Sequence, residues 1–207
     1  MNLQRSLLAL AMLATFSHPV CGGEPEEGAK KGIEFPSPDG QFAFRYTAGA
    51  DAETQAYVLV GRHSGKVLAR VAKSDPELGP SGRFEMAVLW RPDSQAFALK
   101  ATLWKRGSEL SVWLRDGATF REVKLPELLA EITDKAKGGE GFPHVVEVSS
   151  QSAKQWQKDG SLVVEIESMQ DGNGSSITAK RTVILGFDKS AKAKVLKSSI
   201  KFTREKQ

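Results

Sequence analysis

The chain has 207 residues, 40% of them hydrophobic and 26% charged, with 29 Lys and Arg against 25 Asp and Glu. This is the composition of an ordinary globule, and a net charge of +4 is too small to call for a nucleic-acid partner. The single cysteine, Cys21, lies near the start. If it is removed with a leader, disulfides, thiolate metal sites and cysteine nucleophiles are excluded together.

Residues 1–22 read as a signal peptide. Arg5 gives a positive start, and Ser6 to Phe16 is an apolar run too short to span a bilayer as a helix. Pro19 breaks that run, and cleavage after Gly22 or Gly23 leaves 28 basic and 25 acidic residues, a charge of +3. Lipid anchoring through Cys21 is a second reading, poorly matched by the preceding His18-Pro19-Val20. The expected location is the periplasm or the medium. No later run approaches the length of a membrane span, so no span is expected after signal removal. Residues 23–34 are charged and aperiodic, a flexible lead-in, and residues 35–207 read as a single β-rich domain. About 185 residues can bury a core without disulfide support.

Within that domain the elements follow one another as strands. "FAFRYTA" puts Phe42, Phe44 and Tyr46 on one face, and the run Ala56–Val60 is apolar on both faces, as a central strand would be. "VGRHSGKVLARV" turns around His63-Ser64-Gly65. "FEMAVLW" and "AFALKATLW" flank Pro92-Asp93-Ser94. Leu110, Val112 and Leu114 alternate with polar neighbours up to a hairpin signal at Asp116-Gly117. A helix is expected at about 126–137, with Pro126 at its first position, a stripe of Leu128, Leu129, Ile132 and Ala136, and Gly138 as its stop. "SLVVEIES", "ITAKRTVILGF" and "KVLKSSIKFTRE" complete the chain, the last turning Leu196, Ile200 and Phe202 inward and Lys197, Ser199 and Lys201 outward. The expected class is mainly β: antiparallel, blade-like sheets packed as a sandwich or an incomplete propeller, with one inserted α-helix.

A unit recurs three times, as Ser37-Pro38-Asp39-Gly40-Gln41-Phe42, Trp90-Arg91-Pro92-Asp93-Ser94-Gln95-Ala96-Phe97 and Trp156-Gln157-Lys158-Asp159-Gly160-Ser161-Leu162. Asp39, Asp93 and Asp159 read as structural turn residues, because a carboxylate there can accept backbone amides while Gly or Ser tolerates the bend. The pattern resembles the strand-turn-strand signature of TolB-like β-propeller repeats and, more loosely, of tryptophan–aspartate repeat propellers. The resemblance spans residues 36–116 well and 150–188 weakly. It implies blade-like sheets and a bacterial source, and no functional residue is carried over with it. Three unequal units fall short of the four to eight blades of a closed propeller.

Catalytic chemistry is hard to assemble. His63 and His144 are the histidines left after signal removal, Ser64 beside His63 makes no dyad, and no nucleophile elbow exists. Asp171-Gly172-Asn173 begins like a calcium loop, but Ser176 and Thr182 stand where Gly and Glu are required, so a Gly-rich hairpin is expected. Asn173-Gly174-Ser175 is also a glycosylation sequon. Glu165 and Glu167 share a strand face as a solvated pair. No catalytic residue, cofactor or metal is expected. The one regional bias is basic: residues 180–207 hold nine basic residues against Asp188 and Glu205. Lys192, Lys194, Lys197 and Lys201 are candidates for a patch that meets an anionic envelope component or an unknown protein. The competing reading makes them edge protection against aggregation. The functional expectation is an exported non-enzymatic domain mediating protein or envelope contacts. The alternative is a carboxylate-dependent hydrolase, or hydrolase accessory, acting outside the cytoplasm.

Overall fold

The computed structural model describes residues 35–47, 56–73, 86–104, 107–172 and 174–206. The expected signal peptide, the lead-in, Cys21 and Asn173 lie outside these residues. The alternating runs form eleven strands: β1 (Phe42–Thr47), β2 (Ala56–Gly61), β3 (Val67–Lys73), β4 (Met86–Trp90), β5 (Ala96–Trp104), β6 (Gly107–Asp116), β7 (Thr119–Glu122), β8 (His144–Trp156), β9 (Leu162–Gly172), β10 (Ser175–Phe187) and β11 (Ala193–Lys206). Among the described residues one short helix, α1 (Asp134–Lys137), accompanies them, and the fold is mainly β. The described residues all fall within one compact unit, Gly32–Gln207.

Strands β1, β2 and β3 form a three-stranded sheet with β2 at its centre, which accounts for the apolar residues on both faces of that run. The remaining strands form an eight-stranded sheet in the order β11-β10-β9-β8-β6-β5-β4, with β7 pairing β6 off that path. All pairings are antiparallel except β6 with β8, which meet in parallel only at Gly107↔Ser149 and Ser108↔Ser150. That narrow seam joins two meanders of consecutive strands, β4–β7 and β8–β11. Tight turns hold each meander in register. Asp116 pairs with Thr119 across a two-residue loop in which Gly117 takes φ 62°, a conformation that costs a side chain but not glycine.

Side-chain period two then decides the packing. On β5, Phe97 and Leu99 point to one side, into a cluster with Phe42, Phe44, Leu59 and Phe120. Ala96 and Ala98 point to the other side, into a cluster with Val112, Leu162, Val164, Ile166, Val183 and Leu185. The β4–β7 meander is thus covered by the β1–β3 sheet on one face and by β8–β11 on the other. This is why "AFALK" is apolar at almost every position. Each fully buried Leu, Ile, Val or Phe contributes about 1.5–3 kcal/mol by leaving water, so these two clusters carry the fold.

The helix expected at about 126–137 is corrected to Asp134–Lys137. From Val123 to Ile132 the chain forms neither helix nor strand, apart from an isolated bridge at Lys124. Val123, Leu128 and Ala130 are buried and Ile132 is half-buried, whereas Leu129 is exposed. A helical stripe would have buried Leu129 and exposed Ala130; the core selects alternation. Gln151 Nε2 donates to the Leu128 carbonyl at 3.0 Å and Arg181 to the Leu129 carbonyl at 2.9 Å, replacing the bonds a helix would have supplied. Thr133, extended at φ −74° and ψ 156°, caps the single helical turn by accepting from the Ala136 N–H, and Gly138 ends it at φ 61°.

Candidate interaction surface

The repeated turns adjoin one another. In each, the aspartate Oδ1 accepts the backbone N–H two residues on: Gln41 to Asp39 at 3.0 Å, Gln95 to Asp93 at 2.9 Å and Ser161 to Asp159 at 3.0 Å. The residue after each aspartate takes positive φ, at Gly40, Ser94 and Gly160. A fourth turn follows β10, where Ser190 and Lys192 N–H groups both donate to Asp188 Oδ1, at 2.9 and 3.0 Å. Sequence reasoning missed this one. Phe187-Asp188-Lys189-Ser190 offered the aromatic–Asp–Ser signal but no Pro or Gly. The turns are stitched together by Asp39 N–H to Ser94 Oγ at 3.0 Å, by Trp90 Nε1 to the Phe35 carbonyl at 3.2 Å, and by Trp156 Nε1 to the Leu89 carbonyl at 3.0 Å. Arg91 lies over the Trp156 ring and Arg115 over the Phe42 ring, 5.8 and 4.9 Å from the centroids.

These contacts hold the aspartates ionised. For Asp39 and Asp93, burial raises the carboxyl, but hydrogen bonds outweigh it and the result is a lowered pKa. The bonds come from Ser37 and the Gln41 N–H to Asp39, and from Arg91 and the Gln95 N–H to Asp93. The Ser161 hydroxyl lowers Asp159 and the Ser190 hydroxyl lowers Asp188. Trp90 lies in the aromatic cluster, tilted against Phe97 at 5.0 Å between centroids.

Three of the four basic candidates lie on β11, a 14-residue strand that among the described residues pairs with β10, its other edge meeting the chain at the Ala193 N–H, which donates to the Lys124 carbonyl at 3.1 Å. Register sorts them. Lys194 pairs with Gly186, Lys197 with Ile184 and Lys201 with Lys180, which puts all three on the face turned away from the core. Lys192 stands apart, in the turn before the strand, bridged to Lys124. Lys180 is clamped by Glu167 at 3.1 Å and Glu165 at 3.8 Å, and the Glu167 bond first, then the Glu165 charge, pushes its pKa up. By contrast, Lys194, Lys197, Lys201 and Lys206 have no ion-pair partner among the described residues. Strand rise sets Lys197 and Lys201 roughly 13 Å apart, further than the screening length of about 8 Å at physiological salt. They form a row, not a compact anion pocket.

The opposite face of β11 corrects an expectation. Ile200 and Phe202 lie on the core side, yet they are 42% and 39% exposed, and Leu196, the bulge residue, is 51% exposed with its side chain beside Gly186 on the outward face. The buried core includes Ala179, Val183 and Leu185 of β10, and from β11 Ala193 packs against it. Glu127, Leu129, Glu131, Thr133, Arg181, Ile200 and Phe202 are among the residues that line an open groove beside it. At its far end Arg204 pairs with Glu140 at 3.0 Å and donates to the Ala136 carbonyl.

His63 is exposed in a turn and His144 exposed at the start of β8. Glu165 is bound by Lys154 at 3.0 Å as well as by Lys180, so the Glu165–Glu167 pair belongs to an ion-pair ladder. Asp171 lies in β9, and Gly172 pairs with Ser175 as the hairpin expectation requires. Among the described residues no group of three or more His, Cys, Asp or Glu is gathered to hold a metal, and no helix is long and apolar enough to cross a membrane. No protein-family model matches the chain, and no curated protein matches it significantly.

Proposed function

We propose that this protein is an exported, non-enzymatic β domain that contacts an anionic partner through β11. The observation that carries this reading is the row of Lys194, Lys197 and Lys201, which among the described residues have no ion-pair partner and lie on a strand with no further strand beside it. Elsewhere on the same outer face lysines are matched by glutamates, as at Lys180 and Lys154. The finer architecture we read as three blade-like meanders, β1–β3, β4–β7 and β8–β11, stacked in chain order as an open, sandwich-like relative of the propeller repeats. This reading is supported by the two core clusters on either side of the middle meander. A stacked scaffold of this kind suits binding through an edge or a face.

The test compares charge reversal of Lys194, Lys197 and Lys201 with reversal of three exposed lysines elsewhere, Lys66, Lys135 and Lys158. Elution from a cation exchanger and capture of acidic envelope components are measured for each. A larger loss for the β11 set supports the reading; equal loss sinks it. The second reading, a carboxylate-dependent hydrolase or accessory, draws support from Glu147. Its Oε1 is buried without a hydrogen-bond partner, and burial pushes its carboxyl up. Hydrolysis lost in Glu147→Gln would favour it.

A further inference from the structure

We infer that β11 binds its partner by strand addition, and that the partner is an extended acidic segment of polypeptide with two carboxylates four residues apart. This inference rests on the reading of β11 as the binding surface. From Lys197 to Lys206 the strand pairs with Ser175–Ile184 in unbroken register, and the bulge at Leu196 ends that stretch. The free edge is therefore a ten-residue template roughly 33 Å long, in which alternate residues leave backbone N–H and C=O groups unpaired. An antiparallel strand laid along it places every second side chain on the outer face. The residues facing Lys197 and Lys201 are then four apart, and carboxylates there would supply what Glu165 and Glu167 supply to Lys180 one strand further in. The intervening side chains fall on the inner face beside Ile200 and Phe202, where apolar groups would close the groove lined by Leu129 and Thr133.

Charge selects this occupant over a second copy of the chain. Ala193–Lys206 carries five basic residues against Glu205, a local +4. Pairing two β11 edges would set +8 on one ribbon, and the register centred on Ser199 would oppose Lys197 to Lys201 directly. The exposure of Ile200 and Phe202 argues against simple edge protection, since lysines that only deter pairing do not require apolar residues to be left open beside them.

The test uses the full chain and a fluorescent ten-residue peptide. The peptide has Glu at the positions facing Lys197 and Lys201, Val at those facing Ile200 and Phe202, and Thr elsewhere. Anisotropy at low and physiological salt should show saturable, salt-sensitive binding, weakened at least about tenfold by Lys197→Glu plus Lys201→Glu. N-methylation of the peptide's pairing amides should weaken it similarly on the unaltered protein, and the β11 amides should gain protection from hydrogen exchange. Equal binding by the N-methylated peptide, or by one with its two Glu adjacent, overturns strand addition while the basic-surface reading stands. Charge reversal that changes neither peptide binding nor retention on a cation exchanger overturns both. Reversal-sensitive binding to phosphatidylglycerol vesicles without peptide binding assigns the face to a membrane surface and overturns the inference. A dimer in sedimentation that Ile200→Lys abolishes assigns it to a second copy and does the same.

Discussion

The hydroxyl of Ser94 accepts the backbone N–H of Asp39 at 3.0 Å, joining two turns that are 55 residues apart in the chain. Ser94 is fully buried and holds φ 59°. Its side chain thus links the turn before β1 to the turn between β4 and β5, and so one sheet to the other. Ser94→Ala removes the acceptor and leaves the amide unpaired, a cost of about 1–2 kcal/mol. Ser94→Gly loses the same bond but relieves the left-handed strain, so it should be less damaging. Urea unfolding of the two variants checks both the cost and the order.

Trp156 makes the corresponding link on the other side. Its Nε1 donates to the Leu89 carbonyl while its ring packs 5.6 Å from Phe187 and under Arg91. Trp156→Phe keeps an aromatic ring there and removes the donor. A loss of about 1–2 kcal/mol is expected from the missing hydrogen bond and the weakened cation–π contact. Adding Arg91→Ala should then cost less than Arg91→Ala does in the parent, because the two share the same contact; a double-mutant cycle measures this.

Where one interaction dominated, the sequence was readable. Alternation at Leu110-Val112-Leu114 and at Leu162-Val164-Ile166 gave the strands and their buried faces, because period two is imposed by the strand itself. The segment 123–133 was not readable, because Leu128 and Leu129 fit a helical stripe as well as an extended one, and only the pockets offered by the core and by Gln151 and Arg181 decide between them. At the candidate surface the lysines were visible as charge. Whether they were paired was not, since Lys180 and Lys201 look alike in sequence and differ only in having Glu165 and Glu167 across the sheet. The exposure of Ile200 and Phe202 depended on how far the opposing layer reached, which no local pattern records.

Strong acid should weaken the turns. Asp39, Asp93, Asp159 and Asp188 all have carboxyls held below the usual value of 3.8. A depressed folded pKa contributes stability above the unfolded value, and that stability is lost as pH falls from about 3.8 through the lower folded values. Asp39→Asn retains an acceptor for the Gln41 N–H but cannot titrate. Its urea midpoint should therefore lie below the parent's at neutral pH and converge with it as the pH drops below 3.8. A constant gap at every pH would place the contribution in shape and not in charge.

Glu147 should show the opposite sign. Burial raises its carboxyl, the charge of Glu167 adds to this, and Lys100 opposes it. Its Oε1 has no hydrogen-bond partner. The folded protein therefore holds the proton more tightly than the unfolded chain, whose value is near 4.5. Stability from this group is fully present below about 4.5 and is lost as pH rises through the folded value. Glu147→Gln removes that penalty, so the variant should be more stable than the parent at neutral pH, with the gain shrinking toward pH 4. Lys100→Met should do the reverse, lowering neutral-pH stability by withdrawing the cation that offsets the buried carboxylate. Thermal unfolding across pH 4–8 distinguishes these cases. A Glu147→Gln variant that is less stable at neutral pH would mean that the carboxylate is satisfied in solution by a bound group, and would direct attention to Glu147 as a binding residue.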